Sequence, residues 1–198
     1  MTSLKSSLLA LLSLISAAIL PAAEASRAAR WSSAEFSAVV SGTSTLHDWQ
    51  VASNRASGEI DLTNPAALTG KLTVVATSLD HESDGLKSRM YTALKADAYD
   101  KIVFEATSID LPAHDIVAGA AEVWTVRGRL TLAGTSRDIT LSPRASLLAD
   151  GSLQLEAEVP VKMTDYGVKP PTFMGMVRTG NDVTVKIVWR LNRVPAGS

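Results

Sequence analysis

From about residue 30 onward, apolar and polar positions alternate with period two. In LTVVAT, Leu72, Val74 and Ala76 fall on one face and Thr73, Val75 and Thr77 on the other. EVWTVRGRLTL divides more sharply. Trp124, Val126, Leu130 and Leu132 share a dry face, while Thr125, Arg127, Arg129 and Thr131 share a wet one. IVFEATSI, residues 102–109, reads as a further strand. VTVKIVWRL, residues 183–191, gathers Val183, Val185, Ile187, Trp189 and Leu191 on one side. Turn signals separate the runs: Ala133-Gly134-Thr135, Asp150-Gly151, and Gly180-Asn181-Asp182 just before the last strand. Near the start, Gly42 and its Ser/Thr neighbours predict a bend, with Thr45 and Leu46 opening the second strand. Many short strands joined by hairpins predict an all-β sandwich or up-and-down barrel.

Two segments depart from this pattern. Over residues 84–95, Leu86, Met90 and Leu94 recur at i, i+4 and i+8, which is one apolar stripe of a short helix capped by Ser83 or Asp84. So short a helix is marginal alone and must pack on the barrel, plugging an end or capping a cavity. The second is KMTDYGVKPPTFMGMVRTG, residues 162–180. Pro170 and Pro171 exclude it from a central strand. It carries Met163, Tyr166, Phe173, Met174 and Met176, and flexible thioethers suit irregular apolar surfaces, whether a packed barrel end or a ligand wall.

The N-terminus changes the picture of where the protein works. Lys5 precedes an apolar run from Leu8 to Leu20, followed by Pro21 and Ala23-Glu24-Ala25. This reads as a secretory signal over residues 1–25, cleaved after Ala25, with a retained anchor helix as the alternative. The run falls short of the roughly 20 apolar residues of a spanning helix. Residues 26–198 then form one domain, exported and soluble, most simply in a bacterial periplasm. Without any cysteine, its core must hold without disulfides. The net charge of −1 and the scattered Lys and Arg argue against nucleic acid as a partner. The polybasic cluster expected of an electrostatic membrane binder is also missing.

Candidate chemistry is sparse. The three histidines, His47, His81 and His114, have no metal-ligand spacing, and thiolate sites are excluded. His47-Asp48 suggests a dyad, but neighbours on a strand point to opposite faces. The G-x-S-x-G motif and phosphate-binding glycine loops are absent. Paired carboxylates for glycoside chemistry stay open, with no particular pair nominated. What remains is a β-protein with an apolar interior, a helical cap and a Met/aromatic loop, a residue inventory suited to binding rather than catalysis.

The order of several segments resembles the YceI-like family of lipid- or polyisoprenoid-binding proteins, across roughly residues 29–194. FSAVVSGTSTLHDWQVASNRASGEIDL is similar to the family's opening strands and KLTVVATSLD to the strand before its helix. SRMYTALKADAYDKIVFEATSI resembles its helix, acidic break and Tyr-to-Phe strand. VRGRLTLAGTSRDITL is similar to its hairpin, and KMTDYGVKPPTFMGMVRTGNDVTVKI to its closing segment. One departure is Asp100-Lys101 after Tyr99, where the family often has proline.

The resemblance implies an extended, antiparallel, lipocalin-like barrel of about eight strands, covered by the helix. Its interior would take a polyisoprenoid, quinone-like or fatty-acyl chain. Trp49, Met90, Leu94, Phe104, Met163, Phe173, Met174 and Met176 are then the candidate cavity residues, and no cofactor or metal is expected. Two other readings stay open: an envelope stress or interaction protein with a filled barrel, and an enzyme with a carboxylate site at the barrel mouth. A homodimer is compatible with an apolar edge or helix face.

Overall fold

The computed structural model describes residues 29–112, 118–173 and 176–195. The expected signal and its cleavage point after Ala25 lie outside this range, as do His114 and Met174. The described chain forms twelve strands: β1 Arg30–Ser44, β2 Trp49–Ser53, β3 Ala56–Asp61, β4 Thr69–Val75, β5 Lys101–Asp110, β6 Ala121–Val123, β7 Thr125–Leu132, β8 Thr135–Leu141, β9 Arg144–Leu147, β10 Leu153–Lys162, β11 Thr172–Phe173 and β12 Val177–Arg193. One α-helix, α1, spans Asp84–Ala93.

All the pairings are antiparallel and form one curled sheet, in the order β6-β9-β10-β12-β1-β3-β4-β5-β7-β8. β2 pairs with β1, and β11 with β12. The expected all-β, helix-covered, lipocalin-like fold is what the chain adopts, with ten strands on the main path rather than about eight. Trp124 breaks the predicted strand 122–132 into β6 and β7, and Pro143 lies in the break between β8 and β9. The Trp124 N–H donates to the Pro143 carbonyl at 3.0 Å, so both breaks fall at one corner. β6 and β9 lie on one end of the path and β7 and β8 on the other. The chain itself therefore ties the two ends together there. Away from this corner, β10 continues past its pairing with β9 and carries Pro160, which has no N–H to leave unpaired on an edge.

The hairpins follow the turn chemistry. Ala133 and Gly134 both take positive φ, 49° and 78°, as a two-residue turn between β7 and β8 requires. At the opening bend the outcome differs from expectation. Thr45 and Leu46 lie in the turn, and β2 starts only at Trp49. The Ser44 hydroxyl closes that turn, donating to the His47 carbonyl at 2.6 Å and accepting from the His47 N–H at 3.2 Å. The last strand begins earlier than Gly180-Asn181-Asp182 suggested. Gly42 faces Val183 and Ser44 faces Thr179, so residues 180–182 bulge within β12 instead of preceding it.

The core divides into two regions. One end is packed solid by Trp31, Trp124, Trp189, Leu62, Leu153 and Leu191, all buried. The Trp189 indole there donates to the Ser33 hydroxyl at 2.9 Å. A second cluster, with Tyr166, Val159, Val161, Val168 and Val183, lines the wall beyond it. Burial of Tyr166 pushes its phenol above the ordinary range.

Candidate ligand-binding cavity

Above the tryptophan-packed end the barrel is hollow. The cavity measures about 500 Å³, within the range of roughly 300–1,000 Å³ typical of small-molecule sites. Its walls follow from the pleat, because alternate residues of each strand face inward. β1 supplies Phe36, Ala38 and Val40; β5 supplies Ile102 and Phe104; β7 supplies Leu130 and Leu132; β12 supplies Val183, Val185 and Ile187. β2, β4, β8 and β10 each add two apolar residues in the same way. Phe36 and Ala38 also belong to the packed cluster and so form the floor.

Helix α1 covers one side. Ser83 caps it, its hydroxyl accepting from the Leu86 N–H at 3.4 Å. The stripe Leu86, Met90 and Leu94, with Ala93, faces the cavity. No residue of the helix is fully buried, as befits a cover over open space. The Tyr91 hydroxyl anchors it, reaching the carbonyls of Leu79 at 2.8 Å and Thr77 at 3.0 Å. Lys87 bridges Asp80 and Asp84 at 3.2 and 2.9 Å, which raises its own pKa and lowers that of Asp80. These pairs are exposed and contribute little to stability.

The residues after β10 form the opposing wall. A short 3₁₀ turn, Met163–Tyr166, puts Met163 at the cavity, and Val168, Pro171 and Thr172 continue the lining. The β12 bulge holds this turn. Asn181 accepts from the Thr164 N–H at 3.0 Å and donates to its hydroxyl at 2.9 Å.

Five of the candidate residues thus meet around one space: Trp49, Met90, Leu94, Phe104 and Met163. Phe173 contributes its backbone to β11, and its side chain, like Met174, lies outside the described residues. Met176 corrects the expectation. It is 76% exposed and is not part of the cavity lining, because it sits at the turn into β12 rather than on an inward position. Much of the true lining comes from strand interiors not singled out from sequence. Alternation alone gave the inward faces of Leu130, Leu132, Val185 and Ile187, whereas Phe36, Val40, Ile139 and Val161 lay in less regular runs.

Among the described residues, the polar side chains in the lining are Ser44, His47, Arg89, Thr172 and Thr179. Ser44 and Thr179 face each other across the β1–β12 ladder. His47 donates from Nδ1 to the Asp48 backbone carbonyl at 2.7 Å, since that oxygen can only accept. The contact is to backbone and not to the Asp48 carboxylate, so the pair forms no catalytic dyad. Among the described residues no group of three or more His, Cys, Asp or Glu side chains is arranged to hold a metal.

A hollow, apolar, helix-covered antiparallel barrel agrees with the family comparison. The model of the YceI-like domain matches residues 23–191. The chain belongs to the YceI-like family. Three solved structures share this YceI-like fold, each at 18% identity. A polyisoprenoid binding domain from Saccharophagus degradans, implicated in plant cell wall breakdown, has a TM-score of 0.67 and covers 84% of this chain and 99% of its own. BcnA of Burkholderia cenocepacia has a TM-score of 0.61, covering 78% and 95%. The Campylobacter jejuni YceI protein has a TM-score of 0.53, covering 71% and 82%. No curated protein matches the chain.

Proposed function

We propose that this YceI-like protein is a non-catalytic carrier or sequestering protein for a long apolar chain, of polyisoprenoid, quinone-like or fatty-acyl type, and that it works in the periplasm after its signal is removed. The observation that carries the reading is the cavity of about 500 Å³, walled by alternate apolar residues from eight strands and closed on one side by α1. An apolar chain gains about 0.8 kcal/mol per buried methylene. About 15 buried carbons give roughly 12 kcal/mol, and an association cost of about 4 kcal/mol leaves about 8 kcal/mol, which is micromolar affinity. The similarity to a polyisoprenoid binding domain supports the ligand class. The apolar N-terminal run before Ala25 supports export.

The test is a titration with an environment-sensitive fatty-acid probe such as anthroyloxy-stearate. Saturable fluorescence enhancement, reversed by unlabelled polyisoprenol or fatty acid, is expected. Probe signal that does not saturate, or that competitors leave unchanged, contradicts the proposal.

A further inference from the structure

The two most exposed large apolar side chains among the described residues are Met176 at 76% and Leu46 at 70%. They are far apart in sequence, yet they stand on loops stitched together. The Thr45 N–H donates to the Arg178 carbonyl at 3.0 Å, and the Arg178 N–H donates to the Thr45 hydroxyl at 3.1 Å. The Thr45 hydroxyl in turn reaches the Met176 carbonyl at 3.3 Å. Single exposed apolar residues are ordinary on a protein surface, whereas these two share one hydrogen-bonded rim.

That rim is part of the cavity mouth. Leu46 is exposed and at the same time lines the cavity, and Val177, next to Met176, lines it as well. Charge on the rim favours an anionic surface. Arg178, whose backbone joins the two loops, and Arg89, part of the lining, are both exposed.

We infer that the Leu46–Met176 rim docks on a lipid bilayer, seating the two apolar tips among the acyl chains and the arginines at the phosphates, so that an apolar cargo passes between bilayer and cavity past Leu46 without crossing water. The inference rests on the carrier reading for its purpose, while the docking itself depends only on the rim. Two apolar tips and two arginines make a weak, reversible contact, as a carrier that must leave the membrane requires.

The experiment is flotation of the protein, purified from its host with its N-terminus defined by mass spectrometry, on phosphatidylcholine vesicles with and without phosphatidylglycerol. The wild-type protein is expected to associate, more strongly with the anionic vesicles. Met176→Asp should weaken association roughly tenfold, because an apolar tip is replaced by a charge. Met176→Leu should retain it, and so should Val123→Asp, which alters an exposed apolar residue of β6 away from the mouth. Because Met176 does not line the cavity, Met176→Asp should bind anthroyloxy-stearate from solution as the wild type does. Its probe transfer to vesicles should slow about as much as its association weakens. Absence of vesicle association in the wild type, or equal loss in Met176→Asp and Val123→Asp, overturns the docking surface. So does a wild-type dimer that Met176→Asp converts to monomer, since a second copy would then cover the rim. If vesicle association tracks Met176 while no variant binds the probe, the docking stands and the carrier reading fails.

Discussion

The indole of Trp49 occupies the space that a β-carbon on Gly42 would fill. The two residues face each other across the β1–β2 ladder, and the Trp49 Nε1 donates to the Thr43 carbonyl at 3.0 Å. Glycine at position 42 is thus what allows a large aromatic ring to lie along the strand as cavity wall. Gly42→Val should expel the ring from that place. We expect a destabilisation of about 1–3 kcal/mol from overpacking and a probe affinity at least about tenfold weaker, roughly 1.4 kcal/mol. Denaturant unfolding and probe titration read the two effects separately, and unchanged affinity would remove Trp49 from the binding surface.

Ala93 faces the cavity from α1 and is half-buried. Ala93→Trp would place a bulky ring where the ligand chain is proposed to lie. Because the space is open, little strain opposes the ring, so stability should change by less than about 1.5 kcal/mol. Probe binding should fall about tenfold or more. Retained binding with retained stability would mean that the chain sits elsewhere.

The Tyr91 hydroxyl is the fastening of α1 to the segment around Leu79. Tyr91→Phe removes it with little change of shape. The expected cost is about 1 kcal/mol, with faster amide exchange across residues 84–93 and faster release of the probe. An unchanged release rate would show that α1 does not control access to the cavity.

Asp150 at the β9–β10 turn has its carboxyl lowered to about 2, chiefly by the Ser152 hydroxyl at 2.6 Å, then by the Ser152 N–H at 3.0 Å, with Arg190 assisting. A carboxylate favoured in the folded state contributes its full stability above the unfolded value of about 3.9. That contribution is lost as pH falls through about 2. The difference in melting temperature between wild type and Asp150→Asn should be constant near neutrality and shrink across this window. A difference that grows on acidification would contradict the assignment.

The sequence was most legible where the pleat alone decides direction. Leu130, Leu132, Val185 and Ile187 point inward as alternation required, and Leu86, Met90 and Leu94 form the predicted stripe over the cavity. It was least legible where tertiary pairing overrides a local signal. Trp124 looked like one more inward residue of a continuous strand, yet the corner it makes with Pro143 sends β6 and β7 to opposite ends of the sheet. Gly180-Asn181-Asp182 looked like a turn, yet the β1 register holds it as a bulge. Met176 lies in the same Met-rich segment as Met163 but does not share its direction, because Met163 is aimed inward by the 3₁₀ turn that Asn181 holds and Met176 sits at the turn into β12.

The central claim is that the hollow barrel carries an apolar chain, and native mass spectrometry of protein purified from its own host, with lipid extraction of the same sample, tests it most directly. The account predicts a co-purifying apolar molecule of discrete mass, present in the wild type and depleted in Ala93→Trp. An empty wild-type protein that also fails to take up added polyisoprenoids and fatty acids would contradict it.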